Sequence, residues 1–598
     1  MIVSKLFLKN YRCFGNDGTT IDFAESGLNA FIGANNAGKS TAMKALDIIL
    51  GDKWPSGRFD EDDFHNRDIS KKIVIACEFA ESISVPIRND ESAFINILGL
   101  VIEVSYLNAE HGQFSTEVEY RMIDEVTCFE EEGWQIACYG QTNKPVFISQ
   151  KIRNLIPVCI TVPLIGLQKE QPTNKWGVLG RMLQKVENSF TEDVDRTDRF
   201  KVAIEDASEL LREPEEFREL EEDIEKFWDE IRPKNLSHTS LNFLEFDPWH
   251  YYRQFRLAIQ KNGEPVPIDS LGEGVQRLAV LTLYRAYLKA HARSQKAILL
   301  IEEPESYLHP QARTVVYSAI RAAVEGDGIE GQIIYTSHSG DFIDCGYFDE
   351  IVIFSESETG SFVRQVSELE MRKHIADLND IPEEQVAKPK IYSRLIEVDT
   401  HGLKEALFSS KTLIVEGSSD YELFRLLGDT EKKQMGLVKC GGKRSILSIY
   451  SFLTAFGVPT LVVFDRDDGE VTNEPFVKMF SNEIVHGQDP MNGLTKEEID
   501  NLSEGNILVR NNLLVFSKDL ENYLSSNITN YQQVIDDLKL RFKTGKSKPK
   551  SIYAFCLFAT SRIDDMTPDS TQTSEIQDFQ NIINDFLETD IPSPQLVY

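Results

Sequence analysis

Apolar and polar positions change rhythm several times along the 598 residues, and each change predicts a different element. In the first 50 residues the order reads strand, loop, strand, glycine-rich turn, helix. "LNAFI" is a short apolar run ending on the turn, and "STAMKALDIIL" follows with Met43, Leu46 and Leu50 at helical spacing. Residues 70 to 160 are β-rich, because "KKIVIACEFA", "LVIEVSYL" and "STEVEYRMI" are β-branched or alternating. Residues 191 to 232 are crowded with Glu and Asp. Within them Ile204, Ala207, Leu211, Phe217, Leu220, Ile224, Phe227 and Ile231 recur at spacings of three and four, which predicts amphipathic helices broken near Pro214. Packing of that stripe within the chain is the expectation, and a helix of a second subunit is the alternative. Short apolar strands return at "KAILLI", "QIIYTS" and "EIVIFS". Residues 365 to 410 are polar and mixed. A new α/β rhythm then starts with "TLIVEG", a helix, "GLVKC", Gly441-Gly442, a helix and "PTLVVFDRDD". The tail from 526 to 598 reads as helical and polar.

Composition narrows the class. At about 150 residues per domain the length suggests roughly four domains. The 41% hydrophobic share is ordinary for globular protein. No run of roughly 18 apolar residues appears, so a membrane span is not expected. The first residues, "MIVSKLFLKNYRCF", carry Lys5 and Lys9 and no sustained apolar region, so a signal peptide is not expected either. Cys13, Cys77, Cys128, Cys138, Cys159, Cys345, Cys440 and Cys556 are scattered without a CxxC pair. That argues against a disulfide framework and a zinc site and fits a reducing cytoplasm. The formal charge of −33 argues against nucleic-acid binding through a global field. A local basic groove, or an acidic site offset by bound metal, remains compatible with it.

Candidate chemistry begins at "FIGANNAGKS". Gly33, Gly38, Lys39 and Ser40 have the GxxxxGK[ST] spacing of a phosphate-binding loop. Its backbone N–H groups can cradle phosphates at a helix N-terminus, Lys39 can reach the β/γ-phosphates, and the Ser40 hydroxyl can ligand Mg²⁺. "AILLIEEPESYLHP" is an apolar strand delivering Glu302 and Glu303, a Walker B arrangement: the first acid holds Mg²⁺ and the second orients the attacking water. His338 follows the strand "QIIYTS", where it could sense the γ-phosphate. Ser270, Gly272 and Gly274 in "DSLGEGVQRLAVLTLYRA" precede an apolar helix and make a second anion site.

This set, with "NYRCF" near the N-terminus, resembles the ABC-type ATPase heads of the SMC and RecF group. The resemblance implies ATP with Mg²⁺, held by Gly33, Asn36, Gly38, Lys39, Ser40, Thr41, Gln168 and His338. Gln171 competes with Gln168 for the Q-loop position, and Arg12 is either a nucleotide contact or a surface arginine. It also implies that Ser270 and Gly272 touch ATP bound to a second head, so that the chain forms a homodimer or higher homo-oligomer. Two departures bear on the speed of hydrolysis: Glu302 stands where Asp is usual, and Leu271 replaces one glycine of the signature. No long heptad array separates the two halves of the head, so SMC-type tethering is excluded.

A second acidic site lies further on. "TLIVEGSSDYELF" puts Glu416 at a strand end with Asp420 in the following helix, and "PTLVVFDRDDG" puts Asp465 and Asp467 at another. Converging carboxylates repel unless cations sit between them, and oxygen-only ligands suit Mg²⁺ or Mn²⁺. The joint pattern resembles a Toprim domain, and an ABC head followed by Toprim resembles the OLD (overcoming lysogenisation defect) family of ATP-dependent nucleases. That resemblance makes Glu416 a metal ligand or general acid/base and Asp465 and Asp467 metal ligands. It adds a later acid, Glu521 with Asp519 close behind, and a lysine for phosphorane charge, Lys550 with Lys546 and Lys548 as alternatives. The cations of "RFKTGKSKPK" are the candidate phosphate-backbone contact.

The expected architecture is α/β: an ABC-type P-loop ATPase head with a helical insertion, followed by a Toprim, Rossmann-like domain with a helical tail. The expected divisions are 1–180 and 241–365 for the two head lobes, 181–240 for the insertion, 366–410 for a connector, 411–525 for Toprim and 526–598 for the tail. The expected function is ATP-regulated, metal-dependent cleavage of DNA in anti-phage defence, with no membrane partner. A second defence protein or a nucleic-acid cofactor is a further partner the resemblance allows. The alternative is an ATP-switched DNA-binding or repair protein with an inert Toprim-like domain.

Overall fold

Strand β3 (Leu28–Gly33) is buried at every position, as a strand covered on both faces must be. In the computed structural model it sits inside a six-stranded sheet with β8 (Val158–Val162), β11 (Ala297–Ile301), β12 (Gly331–Thr336), β13 (Ile351–Ser357) and β14 (Gly360–Arg364), ordered β14-β13-β3-β12-β11-β8. β11, β12, β3 and β13 run parallel. The model describes residues 2–87, 93–107, 115–139, 143–162, 178–231, 233, 238–239, 247–261, 263–291, 296–325, 331–387, 400–466, 475, 478–480, 495–542, 548–560 and 568–591.

The helix Lys39–Leu50 leaves β3 through the glycine-rich turn and buries Ala42, Met43, Ala45, Leu46, Ile48, Ile49 and Leu50. They share one core with Leu6, Leu8, Ile75, Leu100 and Ile102. These belong to a second, antiparallel sheet ordered β2-β1-β4-β5-β6-β7, formed by β1 (Val3–Lys9), β2 (Thr19–Asp22), β4 (Ile73–Pro86), β5 (Phe94–Leu107), β6 (Ser115–Cys128) and β7 (Gly133–Ile136). Each fully buried Leu or Ile there contributes about 2 kcal/mol, so the helix that carries the phosphate loop is fixed from both sides.

The chain divides into two compact units. One comprises Met1–Thr161, Gln295–Ser306 and Pro310–Tyr598; the other comprises Val162–Ser294 and Tyr307–His309. The signature segment therefore groups with the helical insertion. Within this second unit Phe200 packs edge-on against Phe190 and Tyr251. The helices break at 213–214, between Val194–Arg212 and Glu215–Ile231. Among the described residues their stripe is covered only in part: Ile204, Phe217 and Ile224 are half-buried, whereas Leu211, Leu220, Phe227 and Ile231 are 50–77% exposed. Burial needs an opposing apolar surface, and the aromatic contacts of Val194–Arg212 are made from its N-terminal half.

The C-terminal sheet is ordered β16-β15-β17-β19-β18, from β15 (Thr412–Val415), β16 (Gly436–Lys439), β17 (Thr460–Asp465), β18 (Ile507–Arg510) and β19 (Leu513–Phe516). Only β18 pairs antiparallel. The tail is not a polar appendage. Ile552, Phe555, Cys556 and Phe558 of the helix Lys548–Ala559, and Ile576, Phe579, Ile583 and Phe586 of Ser570–Glu588, share the core of Leu413, Val463 and Phe516. The segment expected as a connector carries the helices Glu368–Asn379 and Thr400–Ala406. Its helix Glu368–Asn379 sends His374 to the Thr454 hydroxyl at 2.9 Å, and burial pushes that imidazole down to about 4. Its helix Thr400–Ala406 abuts Gly340, where a Cβ would come within 3.0 Å of Lys404 Cβ.

Candidate active sites

The phosphate loop needs glycine at two points. Gly33 has φ +130° and a Cβ there would lie 2.2 Å from the Phe354 carbonyl oxygen; Gly38 has φ +111° and faces Phe14 and Cys13. Lys39 then lies almost buried, and its ammonium donates to the carbonyls of Gly33 at 2.8 Å and Ala34 at 2.7 Å. Burial pulls its pKa down to about 8 against the opposing pull of Glu303 and Glu305. Asn36, Lys39, Ser40, Thr41, Glu303, Thr336 and His338 line a cleft of about 790 Å³, as do Arg12 and Cys13. That size suits a nucleotide.

The strand end of β11 faces this loop. Burial and Glu303 raise the Glu302 carboxyl above the ordinary carboxylate range, and the neighbouring Ser40 opposes this. Glu303 adopts φ +39°, a costly conformation for a non-glycine residue and one typical of functional sites. Its N–H donates to Thr336 Oγ1 at 3.0 Å, and Ser306 Oγ donates to its Oε2 at 2.8 Å. His338 Nε2 stands 3.8 Å from Glu303 Oε1. Burial, then Lys39, lowers the His338 pKa, which keeps the ring neutral near pH 7. Arg12 lines the cleft with φ +52° and donates through Nε to the buried Asp63 at 2.6 Å.

At the second site, four parallel strands present their carboxyl ends on one edge, where ligands bind in open α/β sheets. Glu416 follows β15 and Asp465 closes β17. Asp519 caps the helix Leu520–Asn527 after β19, accepting from Asn522 N at 2.7 Å, with Glu521 in that helix's first turn. Asp420 is 5% exposed and accepts from Gly417 N at 3.1 Å. These acids feel one another. Burial first, then Asp420, Glu416, Asp519 and Glu521, push Asp465 up to about 9. Asp420 is pushed up to about 6 by burial, with Glu416 and Glu521 adding to it. Asp465 Oδ1 is buried with no hydrogen-bond partner among the described residues. Oxygen-only donors, an orphaned carboxylate oxygen and mutual repulsion fit a divalent cation. Among the described residues no three His, Cys, Asp or Glu groups are placed to hold one ion.

Residues 1–343 match the AAA ATPase domain family. The chain belongs to that family. Residues 407–467 match the overcoming lysogenization defect protein-like TOPRIM domain. This AAA ATPase is 28% identical to an OLD nuclease of Thermus scotoductus over 78% of its own length and 82% of the relative's. It is 21% identical to the Old nuclease of Escherichia phage P2, over 73% of each chain. It is 20% identical to the endonuclease GajA of Bacillus cereus strain HuB5-5, over 100% of its own length and 97% of the relative's.

Of the residues singled out from the sequence, Lys39, Ser40, Thr41, Asn36, Glu302, Glu303 and His338 meet around the AAA ATPase cleft, and Glu416, Asp420, Asp465, Asp519 and Glu521 meet at the Toprim edge. Ser270 and Gly272 lie in the second unit. The Ser270 hydroxyl donates to Pro267 O at 2.7 Å, and nothing lies within 4 Å of a Cβ on Gly272. Gln168, Gln171, Asp467 and Lys546 lie outside the described residues, and the Lys548 and Lys550 side chains are likewise outside them. Sequence reasoning passed over Glu305. It is 8% exposed, and its Oε1 accepts from Ser337 Oγ at 2.9 Å and His338 N at 2.6 Å. Its signal was present in "EEPES", but its partner is 33 residues away.

Proposed function

We propose that this chain is an ATP-regulated, divalent-metal-dependent endonuclease that cleaves DNA, with a role in anti-phage defence. The observation that carries the nuclease reading is the cluster of coupled carboxylates at the Toprim edge, centred on the unsatisfied Asp465 Oδ1. Asp465, Asp420, Asp519, Glu521 and the neighbouring Asp467 would hold the cations, and Glu416 would hold a cation or move the proton of the attacking water. Two cations there supply an activated water and a stabilised leaving oxygen. The test is plasmid DNA with Mg²⁺ or Mn²⁺: scission that EDTA abolishes is expected, and intact plasmid in both metals refutes the reading.

At the cleft, Lys39 and the loop N–H groups bind the phosphates, and Ser40 and Glu302 take Mg²⁺. Glu303 orients water, and His338 reads the γ-phosphate. By the family resemblance, Ser270 and Gly272 of a second copy close the site. Regulation is supported by the helix Thr400–Ala406. It abuts Gly340, two residues after His338, and Ala406 Cα lies 3.2 Å from where Gly436 of β16 would carry a Cβ.

Two predictions arise here. Phosphate binding favours the charged form of Lys39, so the pKa of about 8 must rise in the complex. ATP affinity is then full below pH 8 and falls as pH rises above it, by up to about tenfold per unit; isothermal titration from pH 7 to 9.5 reads this. Glu305→Ala frees the 337–338 backbone, and ATP turnover drops by about tenfold or more while KM stays within about threefold.

A second reading, an ATP-switched DNA-binding protein with an inert Toprim domain, is favoured by the absence of a three-ligand group among the described residues. It predicts ATP-dependent assembly on DNA without scission.

A further inference from the structure

We propose that Lys443 is a positioning residue of the Toprim metal site, holding Asp465 and Glu416 at their working separation. The inference rests on the nuclease reading above. Lys443 opens the helix Lys443–Ala455 and is 8% exposed. Its ammonium donates to the Asp465 carbonyl at 2.6 Å and lies 5.3 Å from the centre of the Phe464 ring. The preceding Gly441, at φ +71°, donates its N–H to the Glu416 carbonyl at 3.1 Å. One turn, Gly441-Gly442-Lys443, therefore grips the ends of β15 and β17, the two strands whose next or last residue carries a site carboxylate.

The placement is otherwise unfavourable for a lysine. A buried ammonium costs several kcal/mol unless compensated, and a cation in a helix's first turn opposes the helix dipole. That turn, Lys443-Arg444-Ser445, contains no acid. The observed partners of the ammonium are the Asp465 carbonyl and the Phe464 ring, and through the first of these it fixes the backbone from which Asp465 projects. Side chains that orient a metal ligand from behind are worth about 10- to 100-fold in metal affinity.

The test counts Mn²⁺ bound to the full-length chain without DNA or nucleotide, by electron paramagnetic resonance of the free ion. Melting in EDTA reports the fold. Lys443→Met is expected to weaken Mn²⁺ binding by about tenfold, and Lys443→Arg, which can still donate to the Asp465 carbonyl, to recover most of it. Lys443→Gln replaces the Met variant should that one lose its cooperative melt, with the same expected loss. Wild-type Mn²⁺ affinity in the neutral variant, beside lost affinity in Asp465→Asn, overturns the role of Lys443 and leaves the nuclease reading standing. Unchanged binding in Asp465→Asn as well removes the metal site itself, and this inference with it.

Discussion

Asp465→Ala lowers DNA cleavage by about three orders of magnitude, and Glu416→Ala combined with it adds little, because groups acting as one unit are not additive. ATP turnover persists, since Lys39, Glu303 and His338 form a separate cleft. Plasmid nicking and phosphate release in one preparation check both statements. The same carboxylate makes a stability prediction of opposite sign. Asp465 is raised from an ordinary 3.8 to about 9, so between those values the folded chain keeps a proton that the unfolded chain releases. Stability in EDTA then falls as pH rises through this window. Asp465→Asn mimics the protonated form, so its melting temperature exceeds wild type, by more at pH 8 than at pH 5. Saturating Mn²⁺ reverses the order, because the cation favours the wild-type carboxylate. Scission that survives Asp465→Ala removes the two-metal reading.

Glu303→Gln slows ATP hydrolysis by about 100- to 1,000-fold while ATP binding remains. The amide keeps the shape of the side chain and can still meet Ser306, but it does not accept a proton from water. The left-handed backbone at Glu303 and its N–H bond to Thr336 are set by the loop, and survive the change. The variant should accumulate as an ATP-bound species of higher mass if Ser270 and Gly272 complete the site of a second copy. Light scattering with and without ATP reads this. Plasmid cleavage by the same variant then reports which nucleotide state cuts. Wild-type turnover in Glu303→Gln would move the water-orienting role elsewhere.

Much of this was legible along the chain because its signals are local. Gly33, Gly38, Lys39 and Ser40 act within one strand–turn–helix, and the positive φ at both glycines follows from the turn itself. Glu302, Glu303, Glu416 and Asp465 stand at strand ends, and a short apolar run followed by acids marks such ends without knowledge of any partner. The amphipathic break at Pro214 was equally local. The spacing of apolar residues could not say whether their stripe is covered, since that depends on a surface elsewhere.

The sequence by itself determined the phosphate loop, the strand-end carboxylates, their order, and the α/β rhythm that carries each, because such segments are built from neighbours in the chain. The tertiary structure alone decided that the tail completes the Toprim core, that Glu305 holds the backbone of His338, and that Lys443 reaches Asp465. Those contacts span 22 to more than 100 residues. They arise from parallel strand pairing and core closure, which bring distant residues together after local structure has formed, and no short window of residue types encodes them.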